Sequence, residues 1–525
     1  MTIDIAGNRS LRDLLCDQAE RQPDKTFLLT EDMSGSVTPV TYGETVALAL
    51  RAAEGFARVG IGKGDRVIVH MSNSLDWVVS WFGLSWIGAV IVPTNTASTS
   101  AELSYMAQHC EAVGVVTETR FLDAVRAALP ELGNLRHVVL ARTGQVEPGT
   151  VLLRDLMEEG AAQPPAVEVG SDDVMQMLFT SGTTARPKAV VLTHANALIA
   201  GQREAVAVGI DETDRSLTSL PIFHVNGQCV TLLAALSVGA TAILLEQFSA
   251  STFWSQVRSH EATAISLVAM QVRTLLAQPP SDDDARHKVR RTFFAINVSD
   301  DEKKQFEERF GVEFINGYGL SEAMVLVSAA PVHGAKRWPS IGLPTPGRRI
   351  RIVDEDGTEL PAHAVGEITV QGVPGRTLMK EYYRDPEATA RTIRDGWLHT
   401  GDNGYLDEKG YLYFFDRKKD VIKRAGENIS ATEVEFALMR HPDVVEAAVI
   451  AIPDAVRDEA VKAFVVLAEG RMLTQADLVE HCATSLARYK VPSVIEFRDS
   501  LPKTSVGKIE KKLLRAEQAQ SGEGA

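Results

Sequence analysis

The stretch LFTSGTTARPKAVVLTH, residues 178–194, joins two apolar segments through a run of hydroxyl and small side chains. Residues 174–179 read as a strand. Thr180, Ser181, Gly182, Thr183, Thr184 and Ala185 then lead into Arg186, Pro187 and Lys188. Backbone N–H groups in such a run can turn inward as a nest. With the Ser and Thr hydroxyls they bind phosphate oxygens without needing one cation per charge. Lys188 adds a mobile cation. The chain contains no G-x-x-x-x-G-K-[ST], so this is not a Walker loop. Standing alone, the stretch would read as an ordinary Ser/Thr turn.

Outward from it, strand-like runs alternate with helix-like segments. Residues 66–71 precede an apolar segment at 77–92, residues 112–117 precede 121–128, and residues 242–245 precede 251–260. That alternation predicts an α/β fold, a large N-terminal domain of layered, substantially parallel sheets. After Ile350, two strand-like runs separated by turn residues indicate a small β-rich subdomain. A compact β/α texture then begins past GYLYFFDRKKD, with VEAAVIAIP and VKAFVVLAE as apolar strands. The texture predicts a boundary at about 416–419, between a large N-terminal domain, 1–416, and a small α+β domain, 417–525.

The 525 residues exceed what one core usually supports. Hydrophobic content of 45% and charged content of 23% describe an ordinary globular chain. A net charge of −15 argues against nucleic acid or an anionic membrane as main partner. Cys16, Cys110, Cys229 and Cys482 lack paired spacing, which gives no zinc or disulfide signature and fits a cytoplasmic setting. The first residues, MTIDIAGNRSLRDLL, lack a basic region followed by an apolar core, so no signal peptide is expected. WVVSWFGLSWIGAVIV, residues 77–92, contains Ser and Gly and is shorter than the roughly 20 residues a spanning helix needs. It reads as a buried core helix.

Three further stretches carry chemistry. In NGYGLSE, residues 316–322, an aromatic flanked by glycines can stack on a purine while the backbone passes close by. Glu322 offers a hard oxygen ligand for Mg²⁺. In GWLHTGDNGYLDEKGYLYFFDRKKDVIKRAGEN, residues 396–428, Asp402 could accept both hydroxyls of a ribose, and Arg417 could add a donor. In LPKTSVGKIEKK, residues 501–512, Gly507 would let the loop approach a ligand and Lys508 would project into it. Each alone reads more simply as a surface turn or a solvated charge run.

Taken in order, TSGTTARPK, PIFHVNG, NGYGLSE, WLHTGD, DRKKDVIKRAGENI and PKTSVGK resemble the adenylate-forming superfamily of acyl-CoA synthetases, adenylation domains and luciferases over essentially the whole chain. KRWPSIG, GVPGRTLMKEYY, VRDEAVKAFVVL and YKVPS are most similar to the carnitine and crotonobetaine CoA ligase branch.

The resemblance implies an AMP-forming acid–CoA ligase. A carboxylate attacks ATP to give acyl-AMP and pyrophosphate, and CoA then displaces AMP. It implies ATP, Mg²⁺ and coenzyme A, a small-molecule carboxylic acid, no membrane and a possible homodimer. By that resemblance Thr180, Ser181, Gly182, Thr183, Thr184 and Lys188 clamp the β- and γ-phosphates. Asn316, Gly317, Tyr318 and Gly319 lie at the adenine, Ser321 at the α-phosphate and Glu322 at the metal. Asp402 and Arg417 hold the ribose, Lys508 bridges carboxylate and α-phosphate, and Lys419 is the hinge. His224, Asn226, Gly227, Phe294, Ile296, Lys423 and Gly426 line the acyl pocket and thiol tunnel.

Two departures from the family pattern stand out. Ala185 and Ala189 replace customary glycines, and a left-handed backbone at 185 would cost alanine about 1 kcal/mol. Phe294, Ala295, Ile296, Asn297 and Val298 replace a small-residue segment and should reshape the acyl pocket. The alternatives are a stand-alone adenylating enzyme that loads a carrier protein, and a degenerate binder of ATP or acyl-AMP.

Overall fold

Glycines, caps and β-branched runs set the framework. The computed structural model describes residues 5–128, 135–158, 166–180, 187–295, 298–417, 420–424, 427–454, 458–503 and 509–522. Contact density divides the chain into two units. One comprises Met1–Asn297, Glu302–Ile350 and Val370–His399, and the other Val298–Asp301, Arg351–Thr369 and Thr400–Ala525.

The first unit holds two large sheets. An eight-stranded sheet runs Glu381–Tyr382, Lys188–Thr193, Val174–Thr180, Val90–Pro93, Arg66–His70, Gly114–Glu118, His137–Ala141, Val151–Leu152. A nine-stranded sheet runs Leu343–Pro344, Val325–Ala329, Phe314–Leu320, Arg291–Ala295, Ala264–Val268, Arg215–Thr218, Thr241–Leu245, Thr26–Glu31, Val37–Thr41. The interiors of both are parallel, as the alternation predicts. Both edges of the nine-stranded sheet and one edge of the eight-stranded sheet are antiparallel, while Val151–Leu152 ends the latter in parallel pairing. Val174–Thr180 pairs antiparallel with Lys188–Thr193, which pairs antiparallel with Glu381–Tyr382. Phe314–Leu320 likewise folds back onto Val325–Ala329. Antiparallel neighbours need only a short return, whereas parallel ones need a crossover.

The segment at 77–92 is only half helix. Ser74 caps Leu75–Trp86 by accepting from the Trp77 N–H, and Trp77, Trp81 and Phe82 are buried with Phe27, Tyr42 and Phe56. The helix stops at Ile87, where Gly88 takes φ +72, and Val90–Pro93 becomes a fully buried strand. The β-branched run after a left-handed glycine is what the continuous-helix reading overlooks. No described helix is long and apolar enough to cross a membrane.

After the 178–194 stretch, Thr193 and Asn196 form a reciprocal cap that starts the helix His194–Val208, and Gly209 at φ +75 ends it. The cap also reaches sideways. Thr193 Oγ1 donates to the Gly375 carbonyl at 2.6 Å, and Asn196 Nδ2 to the Arg376 and Leu378 carbonyls at 2.8 Å. These bonds seat the segment that leads to Tyr382.

The second unit has a core of its own. Strands Ile422–Arg424, Glu427–Ile429, Val444–Asp454, Asp458–Leu467 and Val494–Phe497 form a sheet. Val434, Leu438, Val449, Val461, Val465 and Leu478 pack between it and the helices Ala431–Met439 and Gln475–Ala483. This is the small α+β texture expected at the C-terminal end.

The first unit also buries charge. Glu204, fully inaccessible on the helix His194–Val208, faces Arg203 of its own helix, Arg348 and Cys229. Burial pushes its carboxyl up to about 7, against the pull of the Leu326 N–H and the two guanidinium groups. A raised carboxyl favours the folded state below its unfolded value near 4.5, and that contribution is lost as pH rises through about 7. Urea midpoints measured from pH 5 to 8 should therefore fall for the wild type relative to Glu204→Gln. Parallel curves would show that Glu204 titrates normally.

Candidate active site

The two antiparallel edges carry the first-unit residues predicted for phosphate, adenine and metal. On one, Thr180 stands in register opposite Lys188, and residues 181–186 between them lie outside the described residues. The expectations for Ser181, Gly182, Thr183, Thr184 and Ala185 fall there. Ala189 is described. It is fully buried in the strand Lys188–Thr193, opposite Phe179, and is not among the residues with positive φ. Glycine is therefore not required at 189.

On the other edge, Phe314–Leu320 turns through the short 3₁₀ segment Ser321–Ala323 into Val325–Ala329. A Cβ on Gly319 would lie 2.1 Å from the Val325 carbonyl oxygen, and one on Gly317 would lie 2.6 Å from the Phe293 ring. The two glycines are needed for close approach of backbone and ring. Asn316 is buried, donates to the Ser340 carbonyl at 3.1 Å, and leaves its Oδ1 without a partner among the described residues. Tyr318 packs beside Ala323, Val327, Val370, Leu378 and Leu398. The Ser321 carbonyl accepts from the Met324 N–H, and Met324 sits at φ +38, a left-handed position unusual for a non-glycine.

A residue missing from the sequence reading joins the two edges. Tyr382, in register with Val190, donates its hydroxyl to Glu322 Oε1 at 2.8 Å. Its ring lies 4.9 Å from Lys188 Nζ, within cation–π range. The Met379 N–H adds a 2.7 Å bond to the Glu322 carbonyl. Burial, and then the Glu322 carboxylate, push the Tyr382 phenol well above its usual range, so it remains a donor at neutral pH. The grouping is thus an ammonium, a phenol and a carboxylate at the mouth of the 180–188 return.

His224 lies at the approach to the π-helical segment Gly227–Leu233, its ring 4.7 Å from that of Phe223. Its carbonyl accepts from the Gln228 N–H at 3.3 Å. Asn226 Oδ1 accepts from Ser266 Oγ at 2.9 Å, and a Cβ on Gly227 would meet the Pro221 carbonyl at 3.1 Å. Phe294 is fully buried and stacked on Phe314 at 4.5 Å, in a cluster with Phe306 and Phe310. Phe293, its neighbour on the opposite strand face, is the ring against Gly317. Ile296 lies outside the described residues.

In the second unit, Asp402 is 8% exposed and stands in register with Arg417, whose Nε is 3.6 Å from Asp402 Oδ1. Asp416 accepts from Ser430 Oγ and the Thr432 N–H, and Asp420 pairs with Arg515. Half-buried Lys511 reaches Glu435 at 2.7 Å. Lys423 is exposed, 3.9 Å from Glu355. Lys419, Gly426 and Lys508 lie outside the described residues.

Residues 15–383 match the AMP-binding enzyme family, and residues 433–508 match the AMP-binding enzyme C-terminal domain. The chain belongs to this family. It is 40% identical to the crotonobetaine/carnitine–CoA ligase of Salmonella paratyphi A over 521 residues, 98% of this chain and 100% of the relative. The Proteus mirabilis enzyme of the same name is also 40% identical, over 518 residues, with the same coverage. Among solved structures, an anthranilate CoA ligase in complex with anthranoyl-AMP superposes with a TM-score of 0.88 at 27% identity, covering 99% of each chain. A benzoate CoA ligase from Burkholderia xenovorans gives 0.85 at 28%, covering 96% of this chain and 99% of that one. This member of the AMP-binding family is an ATP-dependent, AMP-forming acid–CoA ligase. Loading of a carrier protein is not favoured.

Tyr382→Phe keeps the ring beneath Lys188 and removes the hydroxyl's bond to Glu322 together with its bond to Thr392. Pyrophosphate release should show kcat/KM for ATP reduced about tenfold, the usual scale for a hydrogen bond to a charged group. Unchanged kinetics would mean that Glu322 is held without the phenol.

Proposed function

We propose that the first unit binds ATP at the paired edges, with Lys188 and the 180–184 stretch on the β- and γ-phosphates and Ser321 on the α-phosphate. The observation that carries this reading is the Lys188–Tyr382–Glu322 grouping, which sets a cation and a carboxylate beside the same strand return. Tyr318 takes the adenine, with Asn316, Gly317 and Gly319 shaping the backbone beneath it. Glu322 and the substrate phosphates would hold Mg²⁺. The described residues contain no group of three or more His, Cys, Asp or Glu able to bind a metal, and a hard-oxygen ion resting mainly on phosphates fits that donor set. When bound, the ion neutralises triphosphate charge that would otherwise repel the incoming carboxylate.

Asp402 and Arg417 take the ribose in this reading, their paired geometry leaving a carboxylate flanked by a guanidinium. Lys508 bridges the acyl carboxylate and the α-phosphate, supplying the positive charge that the pentacovalent phosphorus demands. The domain boundary we adopt is 416/417, with Lys419 the hinge, and the lid withdraws Lys508 once acyl-AMP has formed. Lys423 and Gly426 then replace it beside the thiol. His224, Asn226 and Gly227 border the path of the pantetheine arm. Support comes from the π-helical turn they enter, a distortion concentrated at functional sites. The acyl floor is assigned to residues 294–298, of which Phe294 and Ala295 close the strand Arg291–Ala295. The acid is small, and four free cysteines suit a cytoplasmic setting.

The test separates the two half-reactions. Lys508→Ala should abolish acyl-AMP formation, read as pyrophosphate release, yet spare transfer of supplied acyl-AMP to CoA. Equal loss of both steps would refute the role given to Lys508. Running the first assay over crotonobetaine, carnitine, benzoate and anthranilate, with and without CoA, assigns the acid. If no acid releases pyrophosphate, the adenylation reading falls.

A further inference from the structure

Three charged side chains sit almost wholly inside the first unit, close to the Glu322 turn but outside any role assigned above. Arg203 and Arg348 are 7% and 6% exposed, and Glu204 is fully buried. Burying a guanidinium costs several kcal/mol unless its donors are used. Arg348 uses its fork on backbone. One terminal nitrogen donates to the Ala323 carbonyl and the other to the Thr377 carbonyl, while Nε has no partner among the described residues. Ala323 directly follows Glu322, and Thr377 belongs to the segment whose Met379 and Tyr382 contact Glu322. A single planar side chain therefore bridges the turn that carries the carboxylate to the segment that holds it.

The other side of the turn is fixed by Glu204. Its Oε1 accepts from the Leu326 N–H at 3.1 Å. Arg203 Nε donates to the Pro346 carbonyl at 3.1 Å. Thr345, three residues before Arg348, donates its hydroxyl to the Leu326 and Val327 carbonyls. Between these clamps lies Met324 at φ +38, a conformation that costs a non-glycine residue about 1 kcal/mol and persists only where neighbours over-determine it.

We infer that Arg348 is a positioning residue for the reaction, fixing Glu322 relative to Tyr382 by tying Ala323 to Thr377, with Glu204 bracing the far end of the turn at Leu326. This rests on the reading of Glu322 as the metal-holding carboxylate. The group that holds the ion is then only as accurate as the backbone beneath it, and Arg348 sets that backbone. Loss of such an outer partner typically weakens metal binding about 10- to 100-fold.

The experiment measures Mn²⁺, in place of Mg²⁺, bound to the full-length enzyme with ATP, by electron paramagnetic resonance. It compares the wild type with Glu322→Gln, Arg348→Met, Arg348→Lys and the double variant Glu322→Gln/Arg348→Met. The expected result is Mn²⁺ affinity about tenfold weaker in Arg348→Met, partly restored in Arg348→Lys, and no weaker in the double variant than in Glu322→Gln alone. Wild-type affinity in Arg348→Met beside a weakened Glu322→Gln would overturn the inference while leaving the role of Glu322 intact. Wild-type affinity in both would overturn the reading of Glu322 and the inference with it. Should Arg348→Met not fold, Arg348→Lys decides alone. Its intermediate affinity supports the inference, and full wild-type affinity with only one donor in place refutes it.

Discussion

The bond from Tyr382 to Glu322 links two sheets that otherwise have separate strands and separate registers. Tyr382 hangs from the edge of the eight-stranded sheet and Glu322 from the return of the nine-stranded one. Each sheet is parallel inside and antiparallel where this bond forms, so each offers a tight turn instead of a long crossover. A phenol held neutral by burial can donate to the carboxylate while its ring face attracts Lys188. The same side chain thus sets a positive and a negative group at a fixed separation without letting them neutralise each other directly. In the function proposed above, that spacing receives an anion of several charges with a cation attached.

Much of this was legible one residue at a time. The strands at 66–70, 114–118 and 174–180 and the helix at 122–128 follow from short-range periodicity and from caps, which depend on neighbours within about four positions. The motif residues were legible because their order along the chain is distinctive, and the structure pairs Glu322 with the Tyr382 hydroxyl, Lys188 with the Tyr382 ring and Asp402 with Arg417. Gly317 and Gly319 also explain themselves once a ring and a carbonyl are seen where a Cβ would be.

What stayed hidden was long-range. Tyr382 lies 60 residues from Glu322, and nothing in the spacing of EYYRDPEAT distinguishes it from Tyr383. Arg348 reads in sequence as one of two adjacent arginines, but the structure buries it while Arg349 stays at the exposed end of its strand. The segment at 77–92 misled for a different reason. Complete burial removes the contrast between faces, so helix and parallel strand look equally apolar, and only Gly88 marks the change. The position of Ala189 shows the converse, a departure from a family glycine that an ordinary strand conformation absorbs.

The two units are interleaved along the chain, and that bears on how the protein is made. Residues Arg351–Thr369 belong with Thr400–Ala525, yet Val370–His399 returns to the first unit between them. During synthesis the 351–369 segment leaves the ribosome before any of its later partners exist. The first unit acquires Tyr382, and with it a closed Glu322 turn, while the second still lacks most of its chain. Lys511, whose half-buried pairing with Glu435 ties down the helix Lys511–Gly522, follows the rest of that unit's sheet in the chain. Translation therefore completes the first unit before the second. No single cut in the chain separates one whole unit from the other.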